Sequence, residues 1–425
     1  MNIDESAAYR AMVEYLYALK PRGGRLGIDR MRPLAAALGH PERKVPTIHI
    51  AGTNGKGSVA AMVEAILRAA GWRVGLYTSP HLVHLGERVQ VNRERLTEEE
   101  ILAFMRELTP LAERIEAEEG GELRPSFFEL MTAMAFLQFT RKACDIAVIE
   151  VGLGGEFDAT NLVDPAVTAI TSIGLDHCEW LGERIEDIAR AKAGIVKAGR
   201  PLVLGRVPAE AERVIRAMAE QRGAPVRTVA EVYGKDPAEF PTTNLRGFYQ
   251  RVNAATATLV VRALPPVWKI SPGAIERGLA SVKWPGRWER LSVGGRTVVL
   301  DASHNPEGAA TLEANLAELA AETGRAPIVV VGVLGRERAE PLMAAIARQA
   351  KAIHLVVPQQ PRATPQAVLE KLIPQGFCGE VVSDEIERIF PGGDVCNVGG
   401  AGDVVVVTGS IYLVGEAIAR LRGEA

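Results

Sequence analysis

Cysteine is scarce and scattered. The four in 425 residues (Cys144, Cys178, Cys378 and Cys396) form no C-x-x-C pair, which argues against a disulfide framework and for a reducing cytosol. Charge of one sign is also missing. Against 52 Asp and Glu stand 49 Lys and Arg, a net charge of −3, so no global basic field draws the chain to nucleic acid or to a membrane. No uninterrupted apolar run reaches membrane-spanning length. The opening Met-Asn-Ile-Asp-Glu-Ser lacks the basic start and apolar stretch of a signal peptide. Neither a fixed-period repeat nor a low-complexity tract occurs. The expectation is a cytoplasmic globular protein with no nucleic-acid and no membrane partner.

What is there supports full-sized cores. Hydrophobic residues make up 47% of the chain and charged residues 24%, and the length suits two or three domains of roughly 100–200 residues each. Strand-like apolar runs at 45–51, 73–78, 145–151, 166–173, 201–205, 296–301, 327–333, 352–357 and 403–408 alternate with helical patterns. Their continuous Val/Ile character suits parallel strands covered on both faces, hence a doubly wound α/β fold. The first alternation ends at Trp284-Pro-Gly-Arg-Trp-Glu-Arg290, and a second βαβ series follows.

The densest chemical signal is His49-Ile-Ala-Gly-Thr-Asn-Gly-Lys-Gly-Ser58. A short apolar strand runs into a glycine-rich turn, and a helical pattern opens at Ser58. Glycines let backbone N–H groups curl around an anion. The helix N-terminus adds partial positive charge, Lys56 reaches phosphate oxygens, and Ser58 can ligate a metal ion. The spacing departs from G-x-x-x-x-G-K-[ST] by an extra glycine, Gly57, between lysine and serine.

Other strands also end in useful residues, as open α/β sheets require, because their ligand crevice lies at the carboxyl ends of the strands. Run 145–149 delivers Glu150, a carboxylate able to hold Mg²⁺ against phosphates or simply to cap a neighbouring helix. Run 166–173 leads to Gly174-Leu-Asp-His177. Over 183–198 the helical period puts Lys192 in the middle of an apolar arc. It can be a snorkelling cation, or a neutral amine that takes up CO₂ and becomes an acidic metal ligand. In the second half, Asp301 ends a strand and can accept from ribose hydroxyls, with His304 and the helix start Pro306-Glu307 after it. No second lysine-bearing glycine loop occurs, so one phosphate site with Arg287 as a bridging cation is expected.

Taken together these residues resemble the folate branch of the Mur ligase superfamily, the dihydrofolate synthase/folylpolyglutamate synthases. The likeness runs through Ala51 to Ser58, Thr78-Ser-Pro-His-Leu82, Glu87-Arg-Val89, Phe127-Phe-Glu129, Glu150-Val-Gly-Leu-Gly-Gly155 and Asp158-Ala-Thr-Asn161. It continues through Leu175-Asp-His177, Lys192-Ala-Gly-Ile-Val-Lys197, Asn253-Ala-Ala-Thr-Ala257, Pro285-Gly-Arg287, Asp301-Ala-Ser-His-Asn-Pro306 and Thr408-Gly-Ser410. The glycine between Lys56 and Ser58 also favours the folate branch over the murein ligases.

The resemblance implies a P-loop ATPase-like, Mur ligase central-type domain over 1–288 and a smaller Rossmann-like Mur ligase C-terminal domain over 289–425, with ATP between them. Thr53, Asn54, Gly55, Lys56, Gly57 and Ser58 would wrap the phosphates, and Asn253, Arg287, Asp301 and His304 would hold the nucleotide. Ser58, Ser79, Glu150, His177 and a carbamylated Lys192 would carry Mg²⁺ at two sites, with a monovalent cation such as K⁺ as a further ligand. Lys56, Lys192 and His177 would be catalytic. Pteroate would contact Gly24, Arg25, Leu26 and Gly27, then Ser126, Phe127, Phe128 and Glu129, then Phe157, Asp158 and Ala159.

The implied reaction joins L-glutamate to dihydropteroate and to reduced folates through an acyl phosphate, in a monomer. Three departures from the family pattern stand out: Glu156 where arginine is usual, Gly335-Arg-Glu-Arg338 in place of an Asp-Lys-Asp segment, and Ala302-Ser303 before His304. Competing readings are folylpolyglutamate synthesis alone, a murein-type ligase and a nucleotide-switch ATPase. The murein-type reading expects a third, N-terminal domain, whereas only about 45 residues precede the first strand.

Overall fold

The computed structural model describes residues 3–20, 27–119 and 121–424. The expected pteroate residues Gly24, Arg25 and Leu26 lie outside them. Two compact units are present. The first runs to Thr243 and resumes over Arg251–Val282; the second comprises Asn244–Gln250 and the chain from Lys283 onward. The division thus falls somewhat before residue 288, and a short segment around Tyr249 belongs with the later unit.

The first unit is built on an eight-stranded sheet of β1 (Thr47–Ala51), β2 (Val74–Tyr77), β3 (Val89–Val91), β4 (Glu94–Arg95), β5 (Ile146–Glu150), β6 (Val167–Ile170), β7 (Leu202–Leu204) and β8 (Val226–Thr228). Its spatial order is β4-β3-β2-β5-β1-β6-β7-β8. β1 lies at the centre, parallel to both neighbours, with Ile50 opposite Glu150 and Ile48 opposite Val167. β1, β2, β5, β6 and β7 are buried along their whole length, because helices cover both faces. One face packs Tyr77, Ala147 and Ile149 against the helices Gly27–Ala37, Glu98–Glu119 and Phe127–Arg141. The other packs Ala51, Ile170 and Leu204 against Ile185–Ala193 and Ala209–Gln221.

The second unit carries a six-stranded sheet of β9 (Arg287–Val293), β10 (Arg296–Asp301), β11 (Ile328–Val331), β12 (Ala352–Leu355), β13 (Glu380–Ser383) and β14 (Val404–Thr408), ordered β13-β12-β11-β14-β10-β9. Only β9 is antiparallel, and its register with β10 shifts at Leu300/Asp301. All nine expected strands form, eight of them shortened at their ends and β10 over its full expected length. β3, β4, β8, β9 and β13 have no counterpart in the apolar pattern. β4, β8, β9 and β13 carry exposed or half-exposed polar residues, and β3 has only three residues. The helix expected over 183–198 stops at Ala193. Among the described residues no helix is long and apolar enough to cross a membrane.

One polar side chain sits at the centre of the first sheet. His49, on β1, is fully buried, and burial followed by the nearby charge of Lys197 pushes its imidazole down from 6.5 to about 3. In the unfolded chain that imidazole gains a proton below about pH 6.5, whereas the folded one stays neutral. Stability present above that pH is therefore lost as pH falls toward the folded value, by up to about 1.4 kcal/mol per pH unit. Thermal unfolding followed by circular dichroism from about pH 7 to about pH 4 should show Tm falling, and falling less steeply in His49→Gln, which has nothing to protonate.

Candidate functional site

β1 delivers the chain into the loop 52–55, and two glycines fix its path. Gly52 has φ 151°, and a Cβ there would collide with the Thr171 hydroxyl. Gly55 has φ 83°, and a Cβ there would lie 2.5 Å from Asn253 Oδ1. Only glycine serves at either place. The end of β6 then clamps the loop. Thr53 N donates to Ser172 O (2.9 Å), and the Thr53 hydroxyl bridges Gly174 O (3.1 Å) and Gly174 N (3.0 Å). Asn54 N donates to Ser172 Oγ (3.0 Å), while Thr171 Oγ1 donates to Asn54 O (2.6 Å). The helix Lys56–Ala69 follows directly, with Gly55 as its cap and Gly57 and Ser58 buried in its first turn. Lys56 folds its ammonium back over the loop, donating to Gly52 O and Thr53 O at 3.0 Å each.

The second lysine meets the first. Lys192 is 6% exposed, in the apolar arc where its period put it, and its Nζ also donates to Gly52 O, at 2.9 Å. Glu150, at the end of β5, is buried and accepts from Ser79 N (3.1 Å), which brings those two residues together. His177 has φ 53° and caps a short helix. Its ring nitrogens lie 3.9 Å from Asp176 and 3.9 Å from Glu179. Among the described residues no three His, Cys, Asp or Glu side chains form a ready-made metal cluster. The donors by the loop are instead one carboxylate and the hydroxyls of Ser58 and Ser79. That hard-oxygen set fits Mg²⁺, which is characteristically bound through one or two carboxylates with phosphate oxygens completing its shell.

Segments far apart in sequence converge on the loop that follows Glu150 in the chain. Ile28 N donates to Phe157 O (3.0 Å), and a Cβ on Gly27 would lie 3.1 Å from Ala159 N and 3.2 Å from Glu129 Oε1. The expected pteroate residues Gly27, Glu129, Phe157 and Ala159 are thus neighbours. Two of the expected polar contacts have other work. Glu129 Oε2 accepts from the N–H (2.8 Å) and the hydroxyl of Ser126, and Oε1 accepts from Arg30 (3.3 Å). The buried Asp158 carboxylate receives Gly152 N (3.1 Å), Leu153 N (2.9 Å), Thr160 N (3.0 Å) and Thr160 Oγ1 (2.5 Å). A carboxylate offers about four lone-pair sites, so Asp158 orders its own loop. Burial raises its carboxyl above the usual range against the pull of these donors.

Aromatic rings line the same region. Phe128 covers Gly152 and tilts against Tyr77, with centroids 6.1 Å apart. Phe127 stacks on Tyr17 at 5.2 Å and lies 4.9 Å under the Arg88 guanidinium. Phe157 is half-exposed. Tyr17, His81 and Arg88 were not foreseen as site residues. Arg88 Nε donates to His81 Nδ1 (2.9 Å), which leaves the other ring nitrogen, with the proton, toward Tyr17 OH at 3.2 Å. Burial, then Arg88, hold His81 neutral by lowering it to about 3. The motifs Thr78-Ser-Pro-His-Leu82 and Glu87-Arg-Val89 were the signal available for His81 and Arg88.

In the second unit the Asp301 carboxylate is engaged by neighbouring groups. One carboxylate oxygen accepts from Ser303 N (3.1 Å) and Ser303 Oγ (2.5 Å), the other from Trp288 N (3.2 Å) and Tyr249 OH (3.3 Å). These contacts hold the β9–β10 bulge beside Arg287. His304 Nδ1 donates to Ala302 O (2.8 Å).

Comparison with known proteins fits this geometry. The Mur ligase middle domain matches residues 50–259, and the Mur ligase glutamate ligase domain matches residues 286–411. The Bacillus subtilis dihydrofolate synthase/folylpolyglutamate synthase is 35% identical over 438 residues, covering 98% of this chain and 99% of that protein. Escherichia coli FolC in complex with DHPP and ADP superposes with a TM-score of 0.80 at 29% identity, covering 96% of each chain. A bifunctional folylpolyglutamate synthase/dihydrofolate synthase with Mn, AMPPNP and L-glutamate bound gives a TM-score of 0.79 at 30% identity, covering 97% of this chain and 98% of that one. A glycine-rich loop clamped at the carboxyl end of a parallel sheet, followed by a second α/β unit, is the architecture of a Mur-type ligase. The chain belongs to the dihydrofolate synthase/folylpolyglutamate synthase family.

The close approach at Gly55 is testable. Gly55→Ala places a methyl against Asn253 Oδ1 at a positive φ, so it should displace Asn253 and weaken ATP binding by tenfold or more, with a stability loss of about 1–3 kcal/mol. Isothermal titration with ADP and thermal unfolding check both effects.

Proposed function

We propose that this chain is an ATP-dependent ligase that joins L-glutamate to dihydropteroate, forming dihydrofolate, and to reduced folates, forming folylpolyglutamates. The observation that carries the reading is the clamped loop 52–55 with two lysines on one carbonyl, in a chain matching such ligases along nearly its whole length. A carboxylate is a poor acyl donor, so it is first phosphorylated by ATP. The loop N–H groups and the start of the helix Lys56–Ala69 hold the phosphates, and Lys56 swings from Gly52 O to balance charge on the transferring phosphoryl group. Ser58, Ser79, Glu150 and His177 would hold Mg²⁺, which would supply further charge neutralisation there. The amine of glutamate then attacks the acyl phosphate, phosphate leaves, and an amide remains. Asn253, Arg287, Asp301 and His304 are assigned to the nucleotide.

Lys192 is assigned as a carbamate. Two lysines meet on one carbonyl oxygen, and conversion of the buried Lys192 to an anion would place a negative charge beside Lys56 and Mg²⁺. The free amine bonds to the carbon of CO₂ and releases one proton. The protein is further taken to be a cytoplasmic monomer, in line with its four free cysteines; light scattering after size exclusion checks the monomer.

Two experiments test this reading. The wild type should form ADP in a glutamate-dependent way when dihydropteroate or tetrahydrofolate is offered separately, with amide products seen by mass spectrometry. Lys56→Ala should lower turnover by orders of magnitude in a folded protein. Activity with a uridine-nucleotide peptide alone would instead establish the murein-type reading, and ADP release indifferent to glutamate a nucleotide switch. For the carbamate, Lys192→Arg keeps a cation but cannot take up CO₂, so it should be as impaired as Lys192→Ala, and a small carboxylate in solution should partly restore the alanine variant. Wild-type turnover in the arginine variant would return Lys192 to a structural cation.

A further inference from the structure

A buried polar chain links the strand that carries the phosphate loop to the loop after Glu150. His49 and Thr160 are both fully buried. Thr160 Oγ1 donates its one proton to Asp158 Oδ1 and lies 2.8 Å from His49 Nε2. A hydroxyl that has given its proton away can only accept from the imidazole, so Nε2 carries the hydrogen. His49 Nδ1 is buried without a hydrogen-bond partner, as suits the nitrogen left without a proton. The far end of the chain is the other Asp158 oxygen, which gathers Gly152 N and Leu153 N.

We infer that His49 and Thr160 are positioning residues for the pteroate, holding the Asp158 carboxylate so that the loop 152–160 presents Phe157 and Ala159 to the segment at Gly27. The inference rests on the ligase reading above. The loop's outer contacts carry it from the carboxylate to the binding segment: Phe157 O accepts from Ile28 N, Ala159 N abuts Gly27, and the Phe128 ring rests on Gly152. An apolar residue at 49 would fill the same volume but leave Thr160 Oγ1 without its donor. A lysine or arginine would put a full charge in the centre of the sheet beside Lys197. A neutral imidazole supplies one donor and no charge.

The test separates hydrogen bonding from packing. His49→Gln places an amide N–H near the position of Nε2, His49→Asn near that of Nδ1. Thr160→Ser keeps the hydroxyl, and Thr160→Val keeps the shape without it. With dihydropteroate, ATP and glutamate as substrates, Thr160→Val, which loses a bond to a carboxylate, and His49→Asn, which loses one to a hydroxyl, should raise the dihydropteroate KM by about fivefold to tenfold. The ATP KM and kcat should change less than about twofold, and His49→Gln and Thr160→Ser should match the wild type on all three, since they keep the bonds. If the Asn or Val chain does not fold, Gln and Ser still decide: unchanged KM in both supports the inference, and a raised KM in either overturns it. Equal behaviour of Gln and Asn, or a loss shared by the ATP KM, overturns it as well. A wild type without glutamate-dependent ADP formation on dihydropteroate would remove the ligase reading and this inference with it. An active wild type whose variants do not separate removes only this one.

Discussion

The carbonyl oxygen of Gly52 is the point on which the site depends. Lys56 reaches it from the helix after the loop, and Lys192 from a helix more than a hundred residues later. Neither lysine could lie there if Gly52 carried a side chain, because its φ of 151° and the Thr171 hydroxyl leave no room for a Cβ. Two lysines thus converge on one carbonyl, Lys56 sharing its bond with Thr53 O. Phosphate oxygens would draw Lys56 outward, and the proposed carbamate on Lys192 would put a negative charge beside it. The loop is therefore built around charge that the substrates bring.

The sheet makes that arrangement rigid. β1 is the central strand, and its parallel neighbours β5 and β6 end on the same edge. Glu150 leaves the end of β5 and the Thr171–Gly174 clamp leaves the end of β6, so loop, carboxylate and clamp share one crevice without any long-range loop closure. The buried faces of these strands explain why they are Val/Ile runs. The polar exceptions among them, such as His49 and Thr168, hydrogen-bond within the core.

Much of this was legible in the sequence. Continuous apolar runs marked the strands buried on both faces, and the position of Lys192 in an apolar arc foretold its burial. Short edge strands such as β8 and β13 were not legible, because an exposed edge imposes no alternation or hydrophobic run on the residues that form it. The site was legible as residue types but not as bonding. A strand-end aspartate reads as a ligand acceptor whether its lone pairs face a cleft or its own loop. Only coordinates show that Asp158 and Asp301 are each surrounded by four protein donors. His81 and Arg88 illustrate the opposite error: their motifs were visible, yet nothing in spacing shows that an arginine and a neutral histidine bond each other beneath an aromatic stack.

These bonding patterns bear on how the site discriminates. Asp158 and Asp301 occupy their acceptor sites with four internal donors each, so any ligand contact they make must add to a filled shell or displace a member of it, and displacement leaves a buried N–H or hydroxyl unsatisfied. In the proposed reading, recognition of the ring system would fall mainly on backbone edges such as Ala159 N, on the faces of Phe128 and Phe157, and on the shape the carboxylates impose. A site of this kind responds to a change in a buried positioning residue by losing fit for one substrate while its phosphate loop, clamped independently by Thr171, Ser172 and Gly174, keeps its geometry. The two clamps are separate within one sheet, Asp158 for the loop after β5 and the end of β6 for the phosphate loop, and under the proposed reading this separation would let nucleotide chemistry and pteroate preference vary apart.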